Sequence, residues 1–448
     1  MIIMFINKIM FQVGNCSIVL RKECKHMKSQ SFNFSSRIVS FIAVLLLFSV
    51  MVGCASTPAG PPTTLKDAYK DDFYIGVAIN RLIATGETNV QADNASRSPE
   101  QLAKDIALVK KQFNAIVNEN DLKPSLIHPN PGPDGYNFGP ADAYVKFGED
   151  NNMYITGHTL LWHSQVPNWF FEGTATEETA EETPAPAQAG GRRGGRGGFG
   201  RRGITGPLAT REELIERMRD HIHTVVGRYK GKIKVWDVVN EALADGGGDN
   251  ILRSTYWTQI IGDDFIAMAF RFAHEADPDA ILRYNDYGLE NRGKREKLKK
   301  LVKQLQDEGV PIHAIGSQTH INVNTTFQTM DQTLTDLESI GLPIHITELD
   351  MNAARGGQRG TNANIEGAAA RTEGGLISEA DRRQSEAYAN LFRALLKHKD
   401  SVALVTFWGA NDAVSWLGRA NPLLFDGEDN PKPAFDAVMN VAIEAQEK

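Results

Sequence analysis

The chain has 448 residues, 42% apolar and 23% charged, with a formal net charge of −7. That composition excludes collagen-like, wholly disordered and disulfide-scaffold proteins, and the length suits either two or three small domains or one large α/β barrel. Beyond residue 53 the chain carries 42 Lys and Arg against 54 Asp and Glu, a formal charge of −12. This is the wrong sign for displacing counterions from nucleic acid, so no nucleic-acid partner is expected.

All three cysteines, Cys16, Cys24 and Cys54, lie in the first 54 residues. The body of the protein therefore has no disulfide, no Cys-ligated metal and no thiol nucleophile. The run Ile38 to Val52 is apolar, preceded by Lys28 and Arg37 and followed by Gly53-Cys54-Ala55-Ser56. A basic flank, a short apolar run and a small-residue exit describe an export signal, and the run is short for a membrane span. The exit resembles a bacterial lipoprotein signal, which implies a lipid on Cys54 and attachment to the cell envelope; a plain secreted protein is the alternative. Residues 1–54 are thus read as an upstream stretch and signal, with Met27 well placed as a start. Residues 55–65, rich in Pro, Thr and Gly, read as a flexible tether.

Residues 66–448 read as one catalytic unit with two low-complexity loops, at about 172–207 and 353–375. The first contains GGRRGGRGGFGRRG, which resembles RNA-binding tails. In an acidic chain it reads instead as a solvated insertion. Between these segments, short apolar runs have the look of buried parallel strands: 74–79, 115–117, 154–156, 233–239, 281–284, 314–317, 344–347 and 402–407. Helical patterns lie between them, three with clear starts. Ser98-Pro99-Glu100-Gln101 supplies an N-cap, a first-position proline and a capping-box glutamine; Thr210 with Glu213 makes a second box; Ser378 opens a third helix. Eight strands alternating with helices predict a (β/α)8 TIM barrel, with an open doubly wound sheet as the alternative.

In such a barrel the active site forms where strands end. The second run leads into Glu119-Asn120-Asp121-Leu122-Lys123, and the third into His158 and Trp162. The fourth ends in Asn240-Glu241, the fifth in Asn285-Asp286-Tyr287 and the sixth in Gln318-Thr319-His320. The seventh ends in Glu348-Leu349-Asp350 and the eighth in Trp408. Two glutamates facing each other across a barrel mouth, Glu241 and Glu348, are what glycosidic cleavage needs: one protonated to donate, the other ionised to attack. Trp162, Trp408 and Trp416 are placed to stack on sugar rings. Trp169, Trp236 and Trp257 read as packing residues. His158, His163 and His320 lack a ligand spacing, so neither metal nor cofactor is expected.

The segments FNAIVNENDLKP, GHTLLWHSQVPNWF, WDVVNEA, YNDYG, GSQTHI, ITELDM and TFWGANDAVSWL resemble, in order, those of glycoside hydrolase family 10, the endo-β-1,4-xylanases. The likeness runs from about Asp67 to Glu444. It implies a retaining mechanism on xylan and xylo-oligosaccharides, with Glu241 as acid/base and Glu348 as nucleophile. Asn240 would bond the sugar 2-hydroxyl, His320 would bond Glu348 with Asp350 orienting it, and Gln318 would contact the acid/base. Glu119, Asn120, Lys123, His158 and Trp162 would line the non-reducing-side subsites. Trp408 and Trp416 would close over the cleavage point, and Tyr287 would form a platform on the reducing side. Pro124 stands where the family usually has an aromatic. The protein is expected to act as a monomer. A barrel endoglucanase and a glycan-binding protein without catalysis remain the rival readings.

Overall fold

The computed structural model describes residues 61–90, 96–173, 204, 206–353 and 378–447. The expected signal, Cys54, most of the tether and nearly all of both insertions lie outside the described residues. Within them, nine strands form: β1 (Tyr74–Ile79), β2 (Ala115–Asn118), β3 (Tyr154–Leu161), β4 (Val235–Asn240), β5 (Ile281–Asp286), β6 (Ala314–Ser317), β7 (His320–Asn322), β8 (Ile344–Asn352) and β9 (Val402–Phe407). Eight of them pair in parallel in the order β6-β5-β4-β3-β2-β1-β9-β8, and β6 pairs with β8 to close the ring. Helices α1 (Pro99–Gln112), α2 (Gly139–Asp150), α3 (Arg211–Arg228), α4 (Phe265–Ala276), α5 (Arg292–Asp307), α6 (Phe327–Glu338), α7 (Glu379–Lys397) and α8 (Pro433–Gln446) alternate with the strands. This is the expected (β/α)8 barrel.

Local sequence sets where the helices begin. Ser98 accepts from the backbone N–H of Gln101, whose side chain accepts from the N–H of Ser98, and Pro99 occupies the first helical position. Thr210 and Glu213 make the same reciprocal pair at α3, and Ser378 accepts from the Asp381 N–H at α7. Each such cap stabilises its helix by about 1 kcal/mol. The strands are sealed by helices outside and by side chains inside. Gly157 is needed where β3 meets β4, because the ring of Trp236 lies 2.3 Å from where a Cβ would sit. Trp236 and Trp257 are buried, as packing residues should be.

The structure differs from the sequence expectation in three places. Strands β3, β5 and β8 continue past their apolar runs, since backbone pairing persists while the side chains turn polar at the mouth. His320 was expected to follow the sixth strand; it opens a short ninth strand, β7, paired with the far end of β8 through His320↔Asp350 and Asn322↔Asn352. The expected tether is shorter than 55–65, because Thr64 caps a helical turn at Leu65–Ala68 and Leu65 is fully buried.

The barrel interior holds charge. Asp237 accepts from Arg283 at both oxygens (Nε 2.7 Å, Nη2 3.0 Å), and Arg283 Nη1 lies 2.9 Å from His345 Nδ1. All three are almost wholly buried. Burial pushes the Asp237 carboxyl up, but the Arg283 charge and the hydrogen bonds from His158 and Arg283 outweigh it and hold it below the usual range. Burial and the neighbouring guanidinium push His345 down to about 3, leaving it neutral and able to accept from Arg283.

Candidate active site

The last residue of β4, Asn240, and the one after it, Glu241, stand at the rim of the mouth. Glu241 has φ of 57°, a left-handed conformation that costs a non-glycine residue about 1–2 kcal/mol. Its carboxylate accepts from Trp162 Nε1 at 2.9 Å and from Gln318 Nε2 at 3.0 Å. Thr319, between Gln318 and His320, is also left-handed, with φ of 58°.

Glu348 lies in the middle of β8 and is 6% exposed. Its Oε1 accepts from Asn285 Nδ2 at 2.9 Å, and its Oε2 lies 3.3 Å from His320 Nε2. The other ring nitrogen of His320 is 2.9 Å from Asp350 Oδ2, which also accepts from Trp416 Nε1 at 2.7 Å. Burial opposes charge on both partners, yet the geometry wins. The Asp350 charge and the bonds to Asp350 and Glu348 raise the His320 pKa well above its ordinary 6.5. The hydrogen bond from His320 and the charges of His158 and His320 hold Glu348 below 4.5. His320 therefore stabilises the fold fully below pH 6.5, and this is lost as pH rises through its raised folded value. The Glu348 contribution is complete above pH 4.5 and is lost as pH falls through its depressed value.

A chain of amides joins the two glutamates. Asn240 Oδ1 accepts from Asn285 Nδ2 (3.0 Å) and Gln318 Nε2 (3.2 Å). This fixes the orientation of the Asn240 amide and leaves its NH2 as the donor. Asn285 Oδ1 in turn accepts from Thr347 Oγ1 at 2.7 Å. Asn285 was not among the expected site residues. Its signal was its place in the polar end of the fifth strand, but only the closed barrel brings it to Glu348.

The remaining expected residues fall around this centre. His158 Nδ1 bonds Asp237 Oδ2 at 3.0 Å, and its ring meets Trp408 edge-on with centroids 5.4 Å apart. Trp408 is 7% exposed, packed with Ala78 and Val117, while Trp416 is 44% exposed at the rim. Lys123 donates to Asn120 Oδ1 at 2.8 Å and lies 5.2 Å from the Trp162 ring centroid. Glu119 follows β2 beside Asn120 and is half-buried. Pro124 opens a single helical turn, Pro124–Ile127, for which the Lys123 backbone is the cap. Tyr287 has Lys294 Nζ 3.4 Å from its ring centroid, and its hydroxyl bonds Asp245 and Arg253. One face of Tyr287 is therefore already covered. Among the described residues no group of three or more His, Cys, Asp or Glu is arranged to hold a metal.

Replacing His320 by Asn should move the acid limb of the kcat/KM–pH profile up by about 1–3 units, because the positive charge goes while the burial of Glu348 stays. An unmoved limb would show that His320 does not control the ionisation of Glu348.

A parallel (β/α)8 barrel whose mouth joins two glutamates through an amide network has the paired carboxylates that glycosidic cleavage needs. The model of the family "Glycosyl hydrolase family 10" matches residues 64–441, and the chain belongs to that family. A β-1,4-xylanase of Dictyoglomus thermophilum is 36% identical over 408 residues, covering 89% of this chain and 96% of its own. A family 10 endoxylanase retrieved from a sugarcane soil metagenome matches in structure with a TM-score of 0.68 and 34% identity, covering 85% of this chain and all of that one. An intracellular xylanase of Thermoanaerobacterium saccharolyticum, solved as a Glu-to-Ala mutant in complex with xylotetraose, matches with a TM-score of 0.65 and 35% identity, over 85% of this chain and 99% of its own.

Proposed function

We propose that the protein is an endo-β-1,4-xylanase that cleaves with retention of configuration, Glu348 acting as nucleophile and Glu241 as acid/base. The observation that carries this is the contrast between the two carboxylates: Glu348 is buried yet held ionised by His320, whereas Glu241 stands at the rim on a strand-end turn. In the first step a Glu348 oxygen attacks the anomeric carbon while the bond to the leaving oxygen breaks and Glu241 gives that oxygen its proton. In the second, Glu241 takes a proton from water, whose oxygen displaces Glu348 from the same carbon. The Asn240 NH2 is free to bond the 2-hydroxyl, a contact that strengthens as positive charge grows on the ring. Glu119, Asn120, Lys123, His158 and Trp162 line the non-reducing side. Trp416 closes the cleavage point from above, and the edge-on packing of Trp408 gives it a place in the wall. Tyr287 stands just after β5 and is only partly buried, which supports a role on the reducing side.

Xylan as substrate draws support from the named activity of the family 10 relatives. The test is reducing-sugar release from xylan, cellulose and mixed-linkage glucan, with the anomer of the first product read by proton NMR. Short β-configured xylo-oligosaccharides are the expected products. Cleavage of a glucan alone would overturn the substrate, and an α-anomer would overturn retention.

We also infer export with a lipid on Cys54, supported by the apolar run and its Gly53-Cys54 exit. Radiolabelled palmitate should enter the protein in a lipoprotein-processing bacterium and be lost in Cys54→Ala; no label in either would overturn the anchor.

A further inference from the structure

We propose that Tyr284, which lies behind the active-site wall and away from the mouth, is a positioning residue for Glu241, holding the turn that aims this carboxyl into the cleft. The inference rests on the acid/base role of Glu241 proposed above. The backbone at Glu241 is left-handed, and a side chain carried on such a turn points correctly only while its neighbours hold the turn. The Glu241 N–H donates to Asn285 O at 2.9 Å. The next two N–H groups, those of Ala242 and Leu243, both donate to the Tyr284 hydroxyl oxygen at 3.0 Å. That hydroxyl gives its own proton to Asp286 Oδ2 at 2.6 Å, which also accepts from the Leu243 N–H at 3.2 Å. Lys294 Nζ closes the set, 2.8 Å from Asp286 Oδ1.

The arrangement follows from the period of a strand. Successive side chains of β5 point to opposite faces, so Asn285 reaches into the mouth to Glu348 while Tyr284 and Asp286 reach behind the wall to the Glu241 turn. One strand therefore serves both carboxylates from its two sides. Tyr284 and Asp286 are fully buried. Burial and the adjacent Asp286 charge raise the tyrosine pKa well above 10, so its proton stays in place to bond Asp286. A phenol that accepts two consecutive amides and donates to a buried carboxylate has every hydrogen-bonding valence used.

The test separates aim from mere packing. Protonation of the leaving group matters for a xylo-oligosaccharide and not for a dinitrophenyl xylobioside, whose phenolate departs unassisted. Tyr284→Phe should lower kcat/KM on xylohexaose about tenfold or more and change it on the dinitrophenyl substrate by less than about twofold. Asp286→Asn should give the same split, smaller in size, and serves if Tyr284→Phe does not fold. Glu241→Ala is the reference and should show the largest split. Equal losses on both substrates, or no loss on either, while Glu241→Ala splits, would overturn the positioning role and leave the acid/base intact. No split in Glu241→Ala would overturn the acid/base assignment, and the inference with it.

Discussion

Glu348→Ala should reduce turnover of xylan by at least about 10⁴-fold, the scale seen when the nucleophile of a covalent mechanism is removed. Binding of xylo-oligosaccharides should remain, because the proposed subsites are built from other side chains. The reason for so large an effect lies in what surrounds Glu348. Asn285, His320 and, through them, Asn240, Thr347 and Asp350 are all oriented on one carboxylate, and the proposed mechanism has no second group to form the covalent bond. Calorimetric titration with xylotetraose beside a rate assay on xylan checks both halves. Retained turnover would remove Glu348 from the nucleophile's role; lost binding would make it chiefly a binding residue.

Arg283→Met should destabilise the protein by about 3–5 kcal/mol, since it strands the Asp237 charge inside the barrel. The unfolding temperature should fall by up to about 10 °C. Activity should suffer as well. The charge of Asp237 acts to raise the Glu348 pKa, and Arg283 is what offsets that charge. Adding Asp237→Asn should recover much of the stability while activity stays low, because His158 loses its carboxylate partner. A double-mutant cycle read by thermal unfolding measures this coupling. If the single and double variants are equally unstable, the ion pair is not the origin of the loss.

The barrel itself was legible because apolar runs of strand length alternate with helical periodicity, and because the caps at Ser98, Thr210 and Ser378 mark helix starts by side-chain chemistry alone. The two glutamates were legible because each stands where an apolar run gives way to polar residues. The structure brings His320 to Glu348 and Gln318 to Glu241, while the bond from Trp416 to Asp350 was not among the expectations. What the sequence did not disclose depends on contacts between distant strands. Arg283, Asp237 and His345 each interrupt an apolar run, and that interruption was a signal; pairing them requires knowing that Asp237 and Arg283 are register partners on neighbouring β4 and β5, and that β8 joins them through β6 when the ring closes. Strand ends were misjudged for the same reason, since polarity changes at the mouth before the backbone ladder stops. The extra strand β7 turns on the left-handed Thr319, a conformation that no property of threonine announces.

The two glutamates are mounted differently. Glu348 sits mid-strand, with β6 and β9 on either side of β8, while Glu241 rides a turn at a strand's end. In the proposed reaction the nucleophile addresses one carbon throughout, but the acid/base serves two masters in succession, first a departing sugar and then an arriving water. Glu348 is held by the strands that flank it, Glu241 by the bonds that Asn285, Tyr284 and Asp286 accept from its turn. Stiffening of this enzyme for heat resistance is therefore safest around β8, whereas a substitution that shifts the Glu241 turn should slow both halves of the catalytic cycle.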